Sequence, residues 1–61
     1  MEKVIPVTKE ELHKIIDIRI PKGLFYLEDN NTFIACDNST GDAWTEEFKT
    51  YAACQKYLLR L

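Results

Sequence analysis

The sequence GLFYLEDNNTFIACDNSTGDAWTEEF, residues 23 to 48, contains three apolar or aromatic runs separated by two clusters of turn-forming residues. The runs lie at 24 to 27, 32 to 36 and 43 to 48, and they are rich in residue types that favour strands. The clusters contain Asn, Asp, Ser and Gly, which tolerate the backbone conformations of tight turns. Because short connections favour sequential antiparallel pairing, this stretch predicts a three-stranded antiparallel meander.

The third predicted strand also indicates which side chains face the core. Successive strand residues point to opposite faces, so Trp44, Glu46 and Phe48 share one face. We expect Trp44 and Phe48 to face the core near its two ends.

After the meander, the pattern predicts an amphipathic helix from Thr50 to Leu61 that packs across the sheet. Thr50 is a suitable N-cap because its hydroxyl can accept from a free amide of the first turn. Apolar residues then recur at helical spacing. The predicted apolar stripe consists of Tyr51, Cys54, Leu58 and Leu61.

A first helix is predicted to begin after Thr8. Thr8 and Glu11 have the spacing of a capping box, in which each side chain accepts from the backbone amide of the other residue. Apolar residues follow at the helical period, and the residue before Pro21 is biased away from the helical conformation. We therefore expect this helix to end by about Ile18.

The order of elements predicts a single α+β domain over residues 1 to 61, arranged as helix, three strands and helix. The segment Val4 to Val7 fits either a short edge strand or coil, since Pro6 lacks a backbone donor. A chain of this length buries a small core, and many domains of this size need disulfides, a metal ion or a partner subunit for stability. Self-association is therefore one expectation for this chain.

Charge is distributed unevenly along the chain. Residues 28 to 47 carry six acids and no Lys or Arg, whereas the flanking segments carry all eight cations and four acids. These charges of minus six and plus four give the net charge of minus two. One interpretation is that the acids form a surface that attracts a basic protein. The other is that they only keep the turns solvated and prevent the sheet edges from pairing with other chains.

The sequence shows no pattern of catalytic or metal-ligating side chains, so we predict neither an enzyme nor a cofactor or metal site. The single histidine, His13, falls on a polar helix face, and it cannot complete a zinc site with two distant cysteines. Gly41 and Glu47 have the spacing of a calcium loop, but the first ligand position would be Cys36, a soft ligand. We expect Cys36 and Cys54 to be buried thiols, one on a strand and one on the helix that faces it.

Nucleic-acid binding is disfavoured by charge. Helix, three strands and helix is also the order of double-stranded-RNA-binding domains, and strand aromatics could form a base-stacking platform. Such surfaces need cations around them, whereas here the strands carry the acids and the pI is about 5.2. The absence of a long apolar run and of a secretory leader pattern predicts a cytoplasmic protein that does not enter a membrane.

The segments GLFYLE, residues 23 to 28, and DNSTGDAWTEEF, residues 37 to 48, resemble a pattern in short uncharacterised proteins of Gram-positive bacteria and their phages and mobile elements. The resemblance covers about the C-terminal two-thirds of the chain. It implies a bacterial cytoplasmic origin and no assigned activity.

The leading functional hypothesis is a non-enzymatic module that binds another protein or itself. A phage or mobile-element inhibitor that mimics DNA is the alternative, and an RNA-binding domain is the third hypothesis. The acidic turns and strands supply most candidate contacts, and two tyrosines are candidate aromatic anchors. The predicted contact residues are Glu28, Asp29, Asp37, Asp42, Glu47, Tyr26 and Tyr57.

Overall fold

A computed structural model describes residues 3 to 61, which form a four-stranded sheet with one helix on each face. The strands lie side by side in the order β1-β2-β3-β4. The elements are β1 (Val4–Pro6), α1 (Lys9–Ile18), β2 (Leu24–Asp29), β3 (Thr32–Asp37), β4 (Trp44–Phe48) and α2 (Tyr51–Leu59).

Helix α1 begins and ends as its sequence predicts. The Thr8 hydroxyl accepts from the Glu11 amide at 3.1 Å, and the Glu11 carboxylate accepts from the Thr8 amide at 2.8 Å. The helix ends at Ile18, and Arg19 follows in the left-handed conformation with φ of 64°. The capping box therefore fixes the start of the helix, and a left-handed cap closes it.

The antiparallel meander over β2, β3 and β4 is confirmed. Asn30 and Asn31 connect β2 to β3, and both have positive φ angles, of 50° and 65°, as a two-residue hairpin turn of the primed type requires. A longer loop that contains Gly41, with φ of 88°, connects β3 to β4. Within the meander, β2 pairs antiparallel with β3, and β3 pairs antiparallel with β4.

The prediction of three strands, all antiparallel, is wrong in one respect, because β1 forms a fourth strand that pairs parallel to β2. Helix α1 makes the connection between them, since parallel neighbours need a crossover. The Val7 amide donates to the Tyr26 carbonyl at 2.9 Å, just beyond β1. Bonding in a parallel ladder involves alternate residues, so Ile5 and Val7 bond to β2 while Pro6 faces outward, where it needs no donor.

The two helices cover opposite faces of the sheet. Leu12 and Ile15 of α1 pack with Phe25 and Cys36 in one buried cluster. The other cluster contains Cys54 and Leu58 of α2, packed on Leu24 and Ala35. Strands β2 and β3 contribute neighbouring residues to different clusters, as the alternation of side chains in a strand requires.

This layering corrects the expectation for the cysteines. Cys36 lies on the α1 face and Cys54 on the α2 face, so the helix that carries Cys54 does not face Cys36. Both thiols are free and buried. Sequence periodicity gives the face of each residue within its own element but not the side of the sheet on which a helix packs.

Helix α2 is shorter than predicted. Thr50 caps it as expected, accepting from the Ala53 amide at 3.1 Å, but the helix ends at Leu59 and Arg60 takes the left-handed conformation. Leu61 is 83% exposed and Tyr51 is 50% exposed, so only Cys54 and Leu58 of the predicted stripe are buried. Within residues 3 to 61, neither helix is long and apolar enough to span a membrane.

Asn38, which is fully buried, connects the end of α1 to the loop between β3 and β4. Its side-chain amide donates to the carbonyls of Arg19 at 3.0 Å and Pro21 at 2.9 Å. Its backbone exchanges two hydrogen bonds with Gly23. This one residue therefore ties the connection between α1 and β2 to the start of the loop that follows β3.

Candidate protein-binding site

The predicted acidic contacts lie at opposite ends of the sheet. Glu28 and Asp29 end β2 beside the hairpin turn, whereas Asp37 and Asp42 lie at the other end of β3 and in the loop that follows. Glu47 lies on β4 and is exposed. The structure therefore does not bring all five carboxylates to one surface.

Asp37 is bound within the fold. It is only 6% exposed, and its carboxylate accepts from the Ser39 amide at 3.0 Å, from the Ser39 hydroxyl at 2.6 Å and from the Arg60 guanidinium at 3.0 Å. Burial alone would raise the pKa of Asp37, but these donors outweigh it and hold the pKa below its ordinary value. The carboxylate is thus ionised and has little accessible surface.

This ion pair leads to a pH-dependent prediction. Because the folded pKa is depressed, the stabilisation is complete above the unfolded pKa of about 3.9 and is lost as pH falls through the folded value. We expect Asp37→Asn to lower the free energy of unfolding by about 1–2 kcal/mol near neutral pH. The difference from the unmodified chain should shrink as pH falls below about 4, as measured by urea unfolding.

Arg60→Gln is the matched control for the Asp37 prediction, because it removes the cation and leaves the bonds from Ser39. We expect a smaller loss than for Asp37→Asn, since the Arg60 side chain is 77% exposed and solvent screens the pair. A difference between Asp37→Asn and the unmodified chain that stays constant down to acid pH would contradict a stabilising role for the Asp37 charge.

Asp42 remains exposed at the start of the β4 edge. Its carboxylate accepts from the Thr40 hydroxyl at 2.8 Å. The Arg19 guanidinium donates to the backbone carbonyls of Asp42 at 2.9 Å and of Gly41 at 3.2 Å. These bonds attach the loop to the end of α1 and set the position of the Asp42 side chain.

Strand β4 is an open edge of the sheet. Asn38 and Gly23 exchange backbone bonds, so alternation along β3 directs Asp37, Ala35 and Phe33 toward β4. The residues opposite these three in the register are Trp44, Glu46 and Phe48. The backbone groups of Thr45 and Glu47 therefore point outward, away from β3, as an edge strand leaves them.

The side chains along this edge are acidic and exposed. Thr45, Glu46 and Glu47 are all exposed, with Glu46 on the α2 face and Glu47 on the α1 face. We define the β4 edge surface as Trp44, Thr45, Glu46 and Glu47 together with Asp42. It presents outward donors and acceptors between carboxylates on both faces of the sheet.

Trp44 is not a core residue, contrary to the prediction from alternation. It shares a face with Phe48, as alternation predicts, and that face is covered by α2, but Trp44 is 64% exposed. Together with Asp37, Tyr57 and Arg60 it lines a shallow cleft of about 350 Å³ at the end of α2. Because α2 ends at Leu59, no further helical turn covers the indole ring.

Of the two predicted tyrosine anchors, Tyr26 lies on β2 under α2 and Tyr57 lies on α2 itself, and both are half-buried. Tyr26 packs edge-on against Tyr51, with ring centroids 5.4 Å apart, and Tyr57 packs against Phe48 at 5.3 Å. Burial is the main cause that raises the pKa of both Tyr26 and Tyr57. Trp44 is therefore the more accessible aromatic side chain, and sequence alternation placed it in the core.

The cysteines are poorly suited to nucleophilic chemistry. Burial raises the pKa of the Cys36 thiol, with a further contribution from Asp37, and burial also raises the pKa of the Cys54 thiol. A raised pKa disfavours the thiolate, which is the reactive form. Among residues 3 to 61, no group of three or more His, Cys, Asp and Glu side chains is arranged to hold a metal ion.

Sequence reasoning also missed an apolar groove on the opposite edge of the sheet. It has a volume of about 450 Å³ and lies between β1, α1 and the Ile20-Pro21 segment. Ile5, Ile18 and Ile20 line it and are 44%, 55% and 59% exposed. The available signal was Ile20, an apolar residue placed beyond the predicted end of the first helix.

Comparison of the chain with protein-family models, with curated proteins and with solved structures finds no match in any of the three.

Proposed function

We propose that this chain is a non-enzymatic protein-binding module that adds an extended, basic segment of a partner protein to its sheet along β4. The observation that carries the proposal is the open β4 edge, whose outward backbone groups at Thr45 and Glu47 lie between exposed carboxylates. Main-chain bonds would supply affinity, and side chains on both faces would supply selectivity.

A comparison of the two sheet edges supports β4 as the receiving strand. Strand β1 has three residues, and its outward position Pro6 has no amide to donate. Strand β4 has five residues and no proline. An added strand can therefore form a longer ladder on β4 than on β1.

Charge supports a basic partner segment. Residues directly opposite each other on neighbouring antiparallel strands interact, and opposite charges contribute roughly 0.2–1 kcal/mol for each pair. Neighbouring cations in an added strand would face Glu46 on one side of the sheet and Glu47 on the other, because strand side chains alternate. An apolar residue placed next to Trp44 would cover an indole ring that is 64% exposed.

The predicted partner motif follows from the same register. In an antiparallel addition, two adjacent basic residues opposite Glu47 and Glu46 are followed by a residue opposite Thr45 and an apolar residue opposite Trp44. We expect a short peptide with this pattern to bind. Trp44, the only tryptophan of the chain, reports the binding through its fluorescence.

Charge reversal tests this function. We expect Glu46→Lys with Glu47→Lys to weaken binding of the basic peptide by about tenfold or more, since attraction becomes repulsion at two positions. The measurement is a fluorescence titration at fixed salt. Glu10→Lys with Asp17→Lys is the matched control, because it changes the net charge equally on exposed positions of α1. Equal weakening by both pairs, or no weakening by the first, would contradict binding at β4.

A second variant separates backbone addition from simple charge attraction. Thr45→Pro removes one outward amide and, by the register, none of the bonds between β3 and β4. We expect it to weaken binding while the folded chain keeps its circular dichroism spectrum. Unchanged affinity would show that the peptide binds the carboxylates without extending the sheet.

The DNA-mimic and RNA-binding hypotheses have less support than this one. The exposed carboxylates are spread over both faces and both ends of the sheet, and Asp37 is paired internally. A mimic with many charge pairs should lose affinity steeply with salt, whereas strand addition with two pairs should depend on salt weakly. We further propose a cytoplasmic location, with which two buried free thiols are compatible.

A further inference from the structure

The apolar groove at the β1 edge is lined by several exposed isoleucine side chains. Seven large apolar side chains are exposed among the described residues, and Ile5, Ile18 and Ile20 of the groove are three of them. The other four lie on β4, on α2 or after it, away from this edge. Exposed apolar side chains that cluster in one groove, rather than standing singly, are the kind of surface at which proteins associate.

The rim of the groove carries one charge of each sign. Glu11 and Lys14 line it from one side of α1, three residues apart. One oxygen of Glu11 accepts from the Thr8 amide, which leaves the second oxygen for a further donor. A rim with zero net charge does not select an acidic or a basic partner, but it does complement itself across a two-fold axis.

The shape of this surface also fits a second copy of the same chain. Ile18 and Ile20 project from it, each more than half exposed, while Val7 and Phe25 lie along the recess. A two-fold interface uses the same patch on both subunits, so one patch must supply both projections and recess. Because Pro6 removes the outward donor at this edge, side chains rather than strand pairing would hold the two copies together.

We propose that the groove between β1, α1 and Ile20-Pro21 binds a second copy of this chain, in a two-fold dimer. Ile18 and Ile20 of each copy enter the groove of the other, and Lys14 of each copy pairs with Glu11 of the other. The β4 edge remains open in both copies, so the dimer presents two of the proposed β4 binding sites. Dimer formation does not depend on binding at β4.

Sedimentation velocity of the full chain over a range of micromolar concentrations tests the proposal. We expect a reversible monomer–dimer equilibrium, and Ile20→Glu should raise its dissociation constant by at least about tenfold. Leu61→Glu is the matched control, because Leu61 is an 83% exposed apolar residue that does not line the groove. Its dissociation constant should equal that of the unmodified chain.

Charge variants test the two-fold arrangement without altering the apolar residues. Lys14→Glu should weaken the dimer more than Lys14→Gln, because it places like charges across the interface, and Lys9→Glu should leave it unchanged. A chain that stays monomeric throughout the concentration range would overturn the proposal, whether or not another protein occupies the groove. Equal effects of Ile20→Glu and Leu61→Glu would also overturn it.

Discussion

Replacement of Phe25 by alanine is expected to lower the free energy of unfolding by about 3–5 kcal/mol. Phe25 is 3% exposed and packs with Leu12, Ile15 and Cys36 in the cluster between α1 and the sheet. Its ring also lies over Gly23, where a Cβ would stand 3.3 Å from the Phe25 Cζ atom. The substitution therefore removes the aromatic ring that joins α1 to β2 and leaves a cavity.

This loss is large compared with the stability of a domain of this size. A chain of 61 residues has a free energy of unfolding of about 3–9 kcal/mol. We expect the midpoint of urea unfolding to fall by half or more, or the variant to be unfolded in water. Near-ultraviolet circular dichroism and urea titration measure both outcomes.

Trp44→Ala is the control for the Phe25 prediction. Trp44 is also aromatic and lies in the sheet, but it is 64% exposed, so its removal should change the free energy of unfolding by less than about 0.5 kcal/mol. The same variant should weaken binding of the basic peptide, as measured by isothermal titration calorimetry, because the variant lacks the indole whose fluorescence reports binding. If Trp44→Ala destabilised the chain as much as Phe25→Ala, the assignment of Phe25 to the core and of Trp44 to the surface would be wrong.

Local signals in the sequence predicted the helix starts and the hairpin. Thr8 with Glu11 and Thr50 act on amides within three residues, so the sequence contains both partners of each cap. Asn30 and Asn31 likewise determine their turn through their own backbone preference. Features that depend on a few neighbouring residues can be deduced from those residues.

The parallel strand and the position of α2 depend on contacts between distant residues. Three residues, Val4–Pro6, give too short a pattern to indicate a strand, and only their pairing with β2 defines it. Trp44 was assigned to the correct face, but its exposure depends on where α2 ends, and Arg60 rather than Leu61 closes that helix. Alternation indicates the face of the sheet to which a strand side chain points. Its burial depends on which helix packs over that face and where that helix ends.

Only the acidic character of the candidate site could be predicted from the sequence. Composition identified residues 28 to 47 as acidic, but the hydrogen-bond alternation that makes Thr45 and Glu47 face outward depends on the register of the whole sheet. Asp37 resembles the other acids in the sequence, yet Arg60 and Ser39 hold it inside the fold. The partners that distinguish structural from accessible carboxylates lie up to 23 residues away.

Asn38→Asp is the second substitution for which we expect a large loss of stability, about 3–5 kcal/mol near neutral pH. It preserves the size of a fully buried side chain but replaces the amide donor that bonds the carbonyls of Arg19 and Pro21. The side-chain oxygen of Asn38, Oδ1, accepts no hydrogen bond from the described residues. The variant would therefore bury a carboxylate whose two oxygens both lack a donor.

The pH dependence of Asn38→Asp distinguishes this cause from general misfit. Burial without donors raises the folded pKa of the new carboxyl above its unfolded value of about 3.9, so the native state binds the proton more tightly. The loss should be largest above the folded pKa and should diminish as pH falls toward the unfolded value, since the protonated acid can donate to one carbonyl. Asn38→Ala, which lacks both donor and charge, should lose about 2–3 kcal/mol with no such recovery. Urea unfolding of both variants from neutral to acid pH makes the comparison, and parallel pH profiles would rule out a buried charge as the reason that this position requires an amide.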